Sequence, residues 1–242
     1  MTDTPKTCLI IGAAGGIGTE LTELLASDGW DLVLAGRQAE RLAPLAAHTG
    51  AAAVALDATD FAAVDAVFKE HSGINAAVNL AGSILLKPAH STSVEDFDNT
   101  MNQNLRTAFA LTRAAGKAMR KTGGSVVLMT TTAAGAGLAN HEAISAAKAG
   151  VEGLARSAAA TYAAQNIRFN TVGPGLTDTP LAERITSNEA SLKASQEMHP
   201  LGRIGTPREI ARVIAFLLDP LNSWITGQTW YADGGLSRVR GR

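Results

Sequence analysis

Residues 140–150 read NHEAISAAKAG, and three of them, His141, Ile144 and Lys148, bear most on chemistry. Positions three and four apart share one face of a helix. A helix here therefore aims the Lys148 ammonium and the Ile144 side chain into the same space, and His141 joins them if the helix begins early. An imidazole suits proton transfer near neutral pH, and Glu142 stands beside it. A second cluster is the run GAAGGIG, with Gly12, Gly16 and Gly18 between a strand and a helix. Glycines at such a turn permit positive φ and let phosphate oxygens reach the backbone, while the helix N-terminus offers unpaired N–H groups. The spacing G-x-x-x-G-x-G differs from the G-x-G-x-x-G fingerprint, yet its place at the first βα junction points to a nucleotide. The next strand ends Ala35-Gly36-Arg37 with no carboxylate to hold a ribose 2′-OH. A guanidinium there can grip a 2′-phosphate with two hydrogen bonds, which favours NADP(H) over NAD(H).

These groups need a frame. TCLII, DLVLAG, AAAVALD, INAAVNLAG, GSVVLMT, IRFNTVGPG and TGQTWYADGG read as strands with their exit loops. Helices are expected near 16–28, 38–48, 60–70, 93–121, 143–165 and 207–218. The last has the clearest start, with Thr206 as N-cap, Pro207 at the first helical position and Glu209 as capping-box partner. Alternating strands and helices imply a parallel sheet with helices on both faces, and strands buried on both sides should be apolar throughout, as these are. No Pro/Gly/Ser-rich linker divides residues 1–242, so one α/β domain is expected. Residues 176–205 form a long polar stretch of weak pattern, the kind of segment that often makes a lid over a site.

At 46% hydrophobic and 18% charged residues, the 242-residue chain suits a compact globule rather than a disordered chain. A net charge of −1 with interspersed signs leaves no footprint for nucleic acid, and the closing SRVRGR is too short to change that. A single cysteine, Cys8 in an apolar run, excludes an internal disulfide and a Cys-rich zinc site. The five histidines show no metal-ligand spacing, so no metal is expected. MTDTPKT lacks the apolar region of a signal peptide, and no 18-residue apolar stretch follows; the expectation is a cytoplasmic protein without membrane partners.

Taken in order, several segments resemble the short-chain dehydrogenase/reductase family over almost the whole chain. GAAGGIG looks like its glycine loop, with Ile11 where a Thr commonly stands. Asp57 in ALDATD resembles the acid that contacts adenine, and VNLAG resembles N-N-A-G with Leu80 for the second Asn. Asn104 resembles the helix Asn that holds a water for a proton relay. GPGLTDTP resembles the loop beside the nicotinamide, and LGRIGTPREIARVIAFLLDPLNSWITGQTWYADGG matches the C-terminal signature closely. The resemblance implies a doubly wound Rossmann-like domain with a seven-stranded parallel sheet. It also implies hydride exchange between a nicotinamide and a carbonyl or alcohol, and a dimer or tetramer packed through the helices at 93–121 and 143–165. The cofactor would meet Gly12, Ala14, Gly16, Ile17, Gly18, Arg37, Asp57, Asn79, Ala81, Gly82, Lys148, Pro174, Gly175, Thr177 and Thr179.

The same register assigns the chemistry. Lys148 falls at the ribose-binding lysine, Thr131 at the serine that holds the substrate oxygen, and Ile144 at the tyrosine that passes the proton. A positioned general acid contributes about 10²–10⁴-fold, so its loss should cripple ordinary ketone reduction unless something replaces it. Three readings follow. His141 could supply the proton; the substrate could be an iminium or activated alkene, or take its proton from water; or the chain binds NADP(H) without turnover. Asp178 and Glu183 could meet a polar substrate, while Trp224 and Trp230 are expected at a subunit interface or in the core.

Overall fold

The computed structural model describes residues 6–240. The first five residues of the opening segment and the last two of the basic tail lie outside the described residues. The seven strands are β1 (Thr7–Ile11), β2 (Asp31–Gly36), β3 (Ala52–Ala55), β4 (Ile74–Asn79), β5 (Gly124–Met129), β6 (Ile167–Pro174) and β7 (Thr229–Ala232). They form one sheet in the order β3-β2-β1-β4-β5-β6-β7 with every pairing parallel. The order reverses between β1 and β4, which opens a crevice at the carboxyl ends of those strands.

Alternate strand residues feed two separate cores. Leu9, Ile11, Val126, Leu128 and Phe169 join one apolar cluster, whereas Cys8, Ile10, Val127, Met129 and Val172 join the other. The first is covered by α3 (Phe61–Glu70), α5 (Thr107–Ala118) and α7 (Glu142–Tyr162). The second is covered by α1 (Gly16–Ser27), α2 (Ala39–Thr49) and α10 (Pro207–Leu218). Removing each large side chain from water contributes about 1.5–3 kcal/mol, which is what holds the layers on the sheet. The start of α10 is as the sequence predicts: Thr206 Oγ1 accepts from the Glu209 N–H and the Glu209 carboxylate accepts from the Thr206 N–H.

One expectation needs correction, and the structure adds detail in three other places. The helix expected at 93–121 is broken: α4 (Val94–Met101) and α5 are joined by a π turn at Asn102–Arg106, and a 3₁₀ turn closes Met119–Lys121. The long stretch at 176–205 contains α8 (Glu183–Thr186) and α9 (Glu189–Met198), the latter capped by Asn188, whose Oδ1 accepts from the Ser191 N–H at 2.9 Å. Its ends are tied together, since the Gly205 N–H donates to Leu176 O and the Asp178 N–H to Gly205 O. A short α6 (Thr132–Gly135) follows β5, capped by Thr131. Trp224 is 98% exposed and so is not a core residue, while Trp230 packs against Phe216 with the rings tilted by 50° and their centroids 5.4 Å apart. No helix among the described residues is long and apolar enough to cross a membrane.

Candidate functional site

The glycine loop between β1 and α1 is built so that side chains cannot enter it. Gly12 has φ +85°, and a Cβ on it would lie 3.0 Å from the Ala81 nitrogen. A Cβ on Gly18 would lie 2.5 Å from Gly12 O and 2.6 Å from Ala13 O. The loop is therefore a bare-backbone cradle at a helix N-terminus, the surface that suits a phosphate. Gly16 faces Thr179 and Pro180, whose side chains would meet its Cβ at 3.1 and 3.3 Å, so the segment after β6 closes over this loop. Ala14 and Ile17 are partly buried within it.

The exit of β4 is pinned against that cradle. Buried Asn79 donates from Nδ2 to Thr107 Oγ1 at 3.0 Å and accepts the Ala81 N–H at 3.0 Å, while the Leu80 N–H donates to Ile11 O. Leu80 packs on the second core, which accounts for an apolar residue at that position. At the far edge Arg37 is exposed, and its charge helps to hold the Asp57 carboxyl below its ordinary pKa. The larger causes of that shift are the N–H and hydroxyl of Thr59, both donated to Asp57 Oδ1.

The π turn turns Asn104 inward, where it is 1% exposed. Its Nδ2 donates to Thr100 O at 2.9 Å and to Ser83 Oγ at 3.0 Å, and its Oδ1 accepts the Ser83 N–H at 3.2 Å. A Cβ on Gly82 would lie 2.8 Å from Asn104 Oδ1 and 3.5 Å from Lys148 Nζ. Asn104 and Lys148, from different helices, thus meet at one glycine beside the crevice. Lys148 Nζ donates to Met129 O at 2.9 Å. Burial pushes its pKa down from 10.5 to about 8.

The exit of β5 is held to α7 residue by residue. Thr130 Oγ1 faces two acceptors, Lys148 O at 3.2 Å and Glu152 Oε1 at 2.9 Å. The same Glu152 oxygen accepts the Tyr231 hydroxyl at 2.8 Å. Thr131 caps α6 by accepting the Ala133 N–H at 3.4 Å. Ser145 is bonded to Ala133 O, consistent with a packing role. Thr132 donates to Asp233 Oδ2 at 2.9 Å, which ties α6 to the turn after β7. Pro174, Gly175 and Thr177 line the loop after β6, where Thr177 Oγ1 donates to Gly175 O.

Ile144 is 5% exposed and lies outside both apolar clusters, on the same face of α7 as Lys148. The chain has two tyrosines, and both are engaged by partners of their own. Tyr162 packs on Gly116 and Phe169, and Tyr231 is bonded to Glu152 with its pKa pushed up to about 12, by burial first and then by that carboxylate. The early helix start that would align His141 with Ile144 and Lys148 does not occur. His141 is the N-cap of α7, and its Nδ1 is 2.7 Å from Ala139 O. Because that carbonyl only accepts, Nδ1 carries the proton, and the neutral ring offers Nε2 as an acceptor. Asp178 and Glu183 are exposed. Ser83, Thr130, Glu152, Tyr231 and His199 escaped sequence reasoning because their partners are distant in the chain.

Comparison with known proteins agrees with this fold. The family described as enoyl-(acyl carrier protein) reductase matches residues 12–237. A solved short-chain dehydrogenase/reductase family protein is 35% identical, covers 99% of this chain and 100% of its own, and superposes with a TM-score of 0.88. The chain belongs to the short-chain dehydrogenase/reductase family. D-threitol dehydrogenase of Mycolicibacterium smegmatis is 34% identical over 95% of this chain and 92% of its own. The 3-oxoacyl-(acyl-carrier-protein) reductase of Vibrio cholerae is 31% identical over 97% and 98%. The structure of ElxO with NADP bound has a TM-score of 0.89 at 27% identity, covering 96% of this chain and 98% of its own.

Proposed function

We propose that this protein is an oxidoreductase that binds NADP(H) in preference to NAD(H) and exchanges hydride with a small carbonyl, alcohol, imine or activated alkene. The observation that carries the reading is the meeting of Asn104 and Lys148 at Gly82, beside a glycine cradle closed to side chains. In this reading Gly12, Gly16 and Gly18 receive the diphosphate, Arg37 the 2′-phosphate, Asp57 the adenine edge and Lys148 the nicotinamide ribose. When bound, the cofactor supplies the hydride, and the protein supplies position. Thr131 orients the substrate oxygen, and Asn104 holds water near Lys148. Residues 176–205 act as a lid, with Thr179 at its cofactor side.

The proton is the unusual step. Ile144 has no polar atom, so either His141, water, or the substrate's own chemistry replaces the phenol. As a donor His141 would have to act from Nε2 in its charged form, because Nδ1 is held by Ala139 O. A second reading, cofactor binding without turnover, is favoured by the burial of Ile144 and by the placement of both tyrosines elsewhere. The chain would work as a homodimer or homotetramer through α5 and α7; Phe109 on α5 is exposed in the single chain.

Titration of NADPH and NADH by fluorescence tests the cofactor assignment, and tighter NADH binding would overturn it. A turnover screen over ketones, imines and enones tests the reaction in wild type, His141→Ala and Ile144→Tyr. Ile144→Tyr should raise ketone reduction by about 10²–10⁴-fold. If wild type is silent on every class while Ile144→Tyr reduces ketones, the non-catalytic reading replaces the catalytic one.

A further inference from the structure

The side chain of His199, immediately after α9, ties the end of α9 back to Leu176 at the start of the 176–205 segment. It is 3% exposed. Its Nδ1 is 2.6 Å from Ser195 O, and the Leu176 N–H donates to its Nε2 at 3.2 Å. Because Ser195 O only accepts and the Leu176 N–H only donates, both partners require the same neutral tautomer, protonated at Nδ1. Gly175 makes room for this ring: a Cβ there would lie 2.5 Å from His199 Nε2 and 3.1 Å from the Asp233 Cα. The ring is thus wedged between the loop after β6 and the turn after β7, where Gly234 approaches it and the Leu201 N–H donates to Gly234 O.

We propose that His199 is a positioning residue that transmits the placement of α9 to the Gly175–Leu176 backbone, and thereby sets affinity for the nicotinamide half of the cofactor. The proposal rests on the reading above that this loop borders the nicotinamide. The hydrogen bond between the His199 side chain and the loop uses a single acceptor lone pair on Nε2, so removing it frees the Leu176 N–H without deleting any side chain of the cradle. A doubly protonated ring has no such lone pair, and it would set an N–H against the Leu176 N–H. The charged groups sharing that groove are Asp233 from the turn after β7, the paired Arg203 and Glu209, and Arg238. Asp233 is held by Thr132, Gly235 and Ser237, and Arg238 lies over the Tyr231 ring.

Three proteins decide it: wild type, His199→Phe, which keeps the ring shape without nitrogen, and His199→Gln, whose amide oxygen can take the place of Nε2. Amide hydrogen exchange at Leu176 should be slow in wild type and His199→Gln and markedly faster in His199→Phe. Affinity for NADPH should fall about 5–10-fold in His199→Phe, the loss of one hydrogen bond, and return in His199→Gln. Affinity for 2′-phospho-ADP-ribose, which lacks the nicotinamide, should stay within about twofold of wild type in both, as no phosphate contact is removed. Equal weakening of both ligands, or failure of His199→Gln to restore NADPH binding, would overturn the proposal. Should His199→Phe not fold, His199→Leu, which also lacks an acceptor at Nε2, must give the same split; an unchanged ratio overturns it. If wild type binds neither NADPH nor NADH, the cofactor reading fails by itself, and unchanged exchange at Leu176 in His199→Phe then refutes the role of His199 independently.

Discussion

Replacing Lys148 with Met should make the stability of the cofactor-free protein depend on pH differently from wild type, by an amount the structure sets. Lys148 is 8% exposed, and its ammonium donates to a neutral acceptor, Met129 O. Burial lowers its pKa from 10.5 to about 8. Folding therefore costs the charged form free energy below pH 8. Between about 8 and 10.5 the unfolded chain still holds the proton that the folded chain has released, so wild-type stability rises with pH across that window. At about 1.4 kcal/mol per tenfold, the full rise is about 3 kcal/mol. Lys148→Met removes the titration while keeping an apolar chain of similar length. It also loses the bond to Met129 O, but that cost is nearly independent of pH. Tyr231 and Cys8, whose pKa values burial raises, are shared by both proteins and cancel in the difference. Urea unfolding at pH 7 and pH 10.5 reads the effect. With a slope of about 3 kcal/mol/M, the wild-type midpoint should gain about 1 M relative to the variant between the two pH values. A difference that stays flat across the window would refute the view of Lys148 as a desolvated ammonium.

Two further outcomes test the cofactor site. Arg37→Ala removes an exposed guanidinium beside Asp57 and should weaken NADPH binding about 10–100-fold, the worth of a charge-assisted contact, while NADH affinity changes less than about twofold; equal losses for both would refute the 2′-phosphate assignment. Gly18→Ala places a methyl 2.5 Å from Gly12 O, a backbone overlap that cannot be relieved by a side-chain rotation. It should cost about 1–3 kcal/mol in urea unfolding as well as NADPH affinity, and a variant with wild-type stability would show the loop to be less rigid than its geometry implies.

The fold was legible because its strands and helices announce themselves locally. Seven apolar strand segments, helices between them and the Thr206–Pro207–Glu209 start of α10 all depend on neighbours in the chain. Where an element depends on distant partners, local pattern fails. Nothing near Asn104 marks the π turn, because the group that rewards it is Ser83, 21 residues away, which both donates to and accepts from the Asn104 amide. The helices inside 176–205 carry few apolar residues, and what holds them is a backbone pairing at Gly205 and one histidine. A period-based reading sees little there. His141 shows the limit of spacing alone: helix periodicity applies only inside a helix, and His141 stands just before α7 as its N-cap.

At the site the sequence names the side chains, and the structure supplies their electrostatic setting. Ile144 and Lys148 are four apart, so their shared face was predictable. Two features of their surroundings were not. One is that Lys148 faces a peptide oxygen, with burial as the cause that moves its pKa; that value lies near the range where an amine exchanges its proton. The other is that the nearby carboxylate, Glu152, one turn further along the same helix, is engaged by Thr130 and Tyr231. That carboxylate fixes strand ends rather than balancing the ammonium. A tyrosine introduced at 144 would therefore enter a site whose lysine is already oriented and whose strand exits are already held. This is why Ile144→Tyr is expected to change the rate of proton transfer far more than it changes the binding of the cofactor.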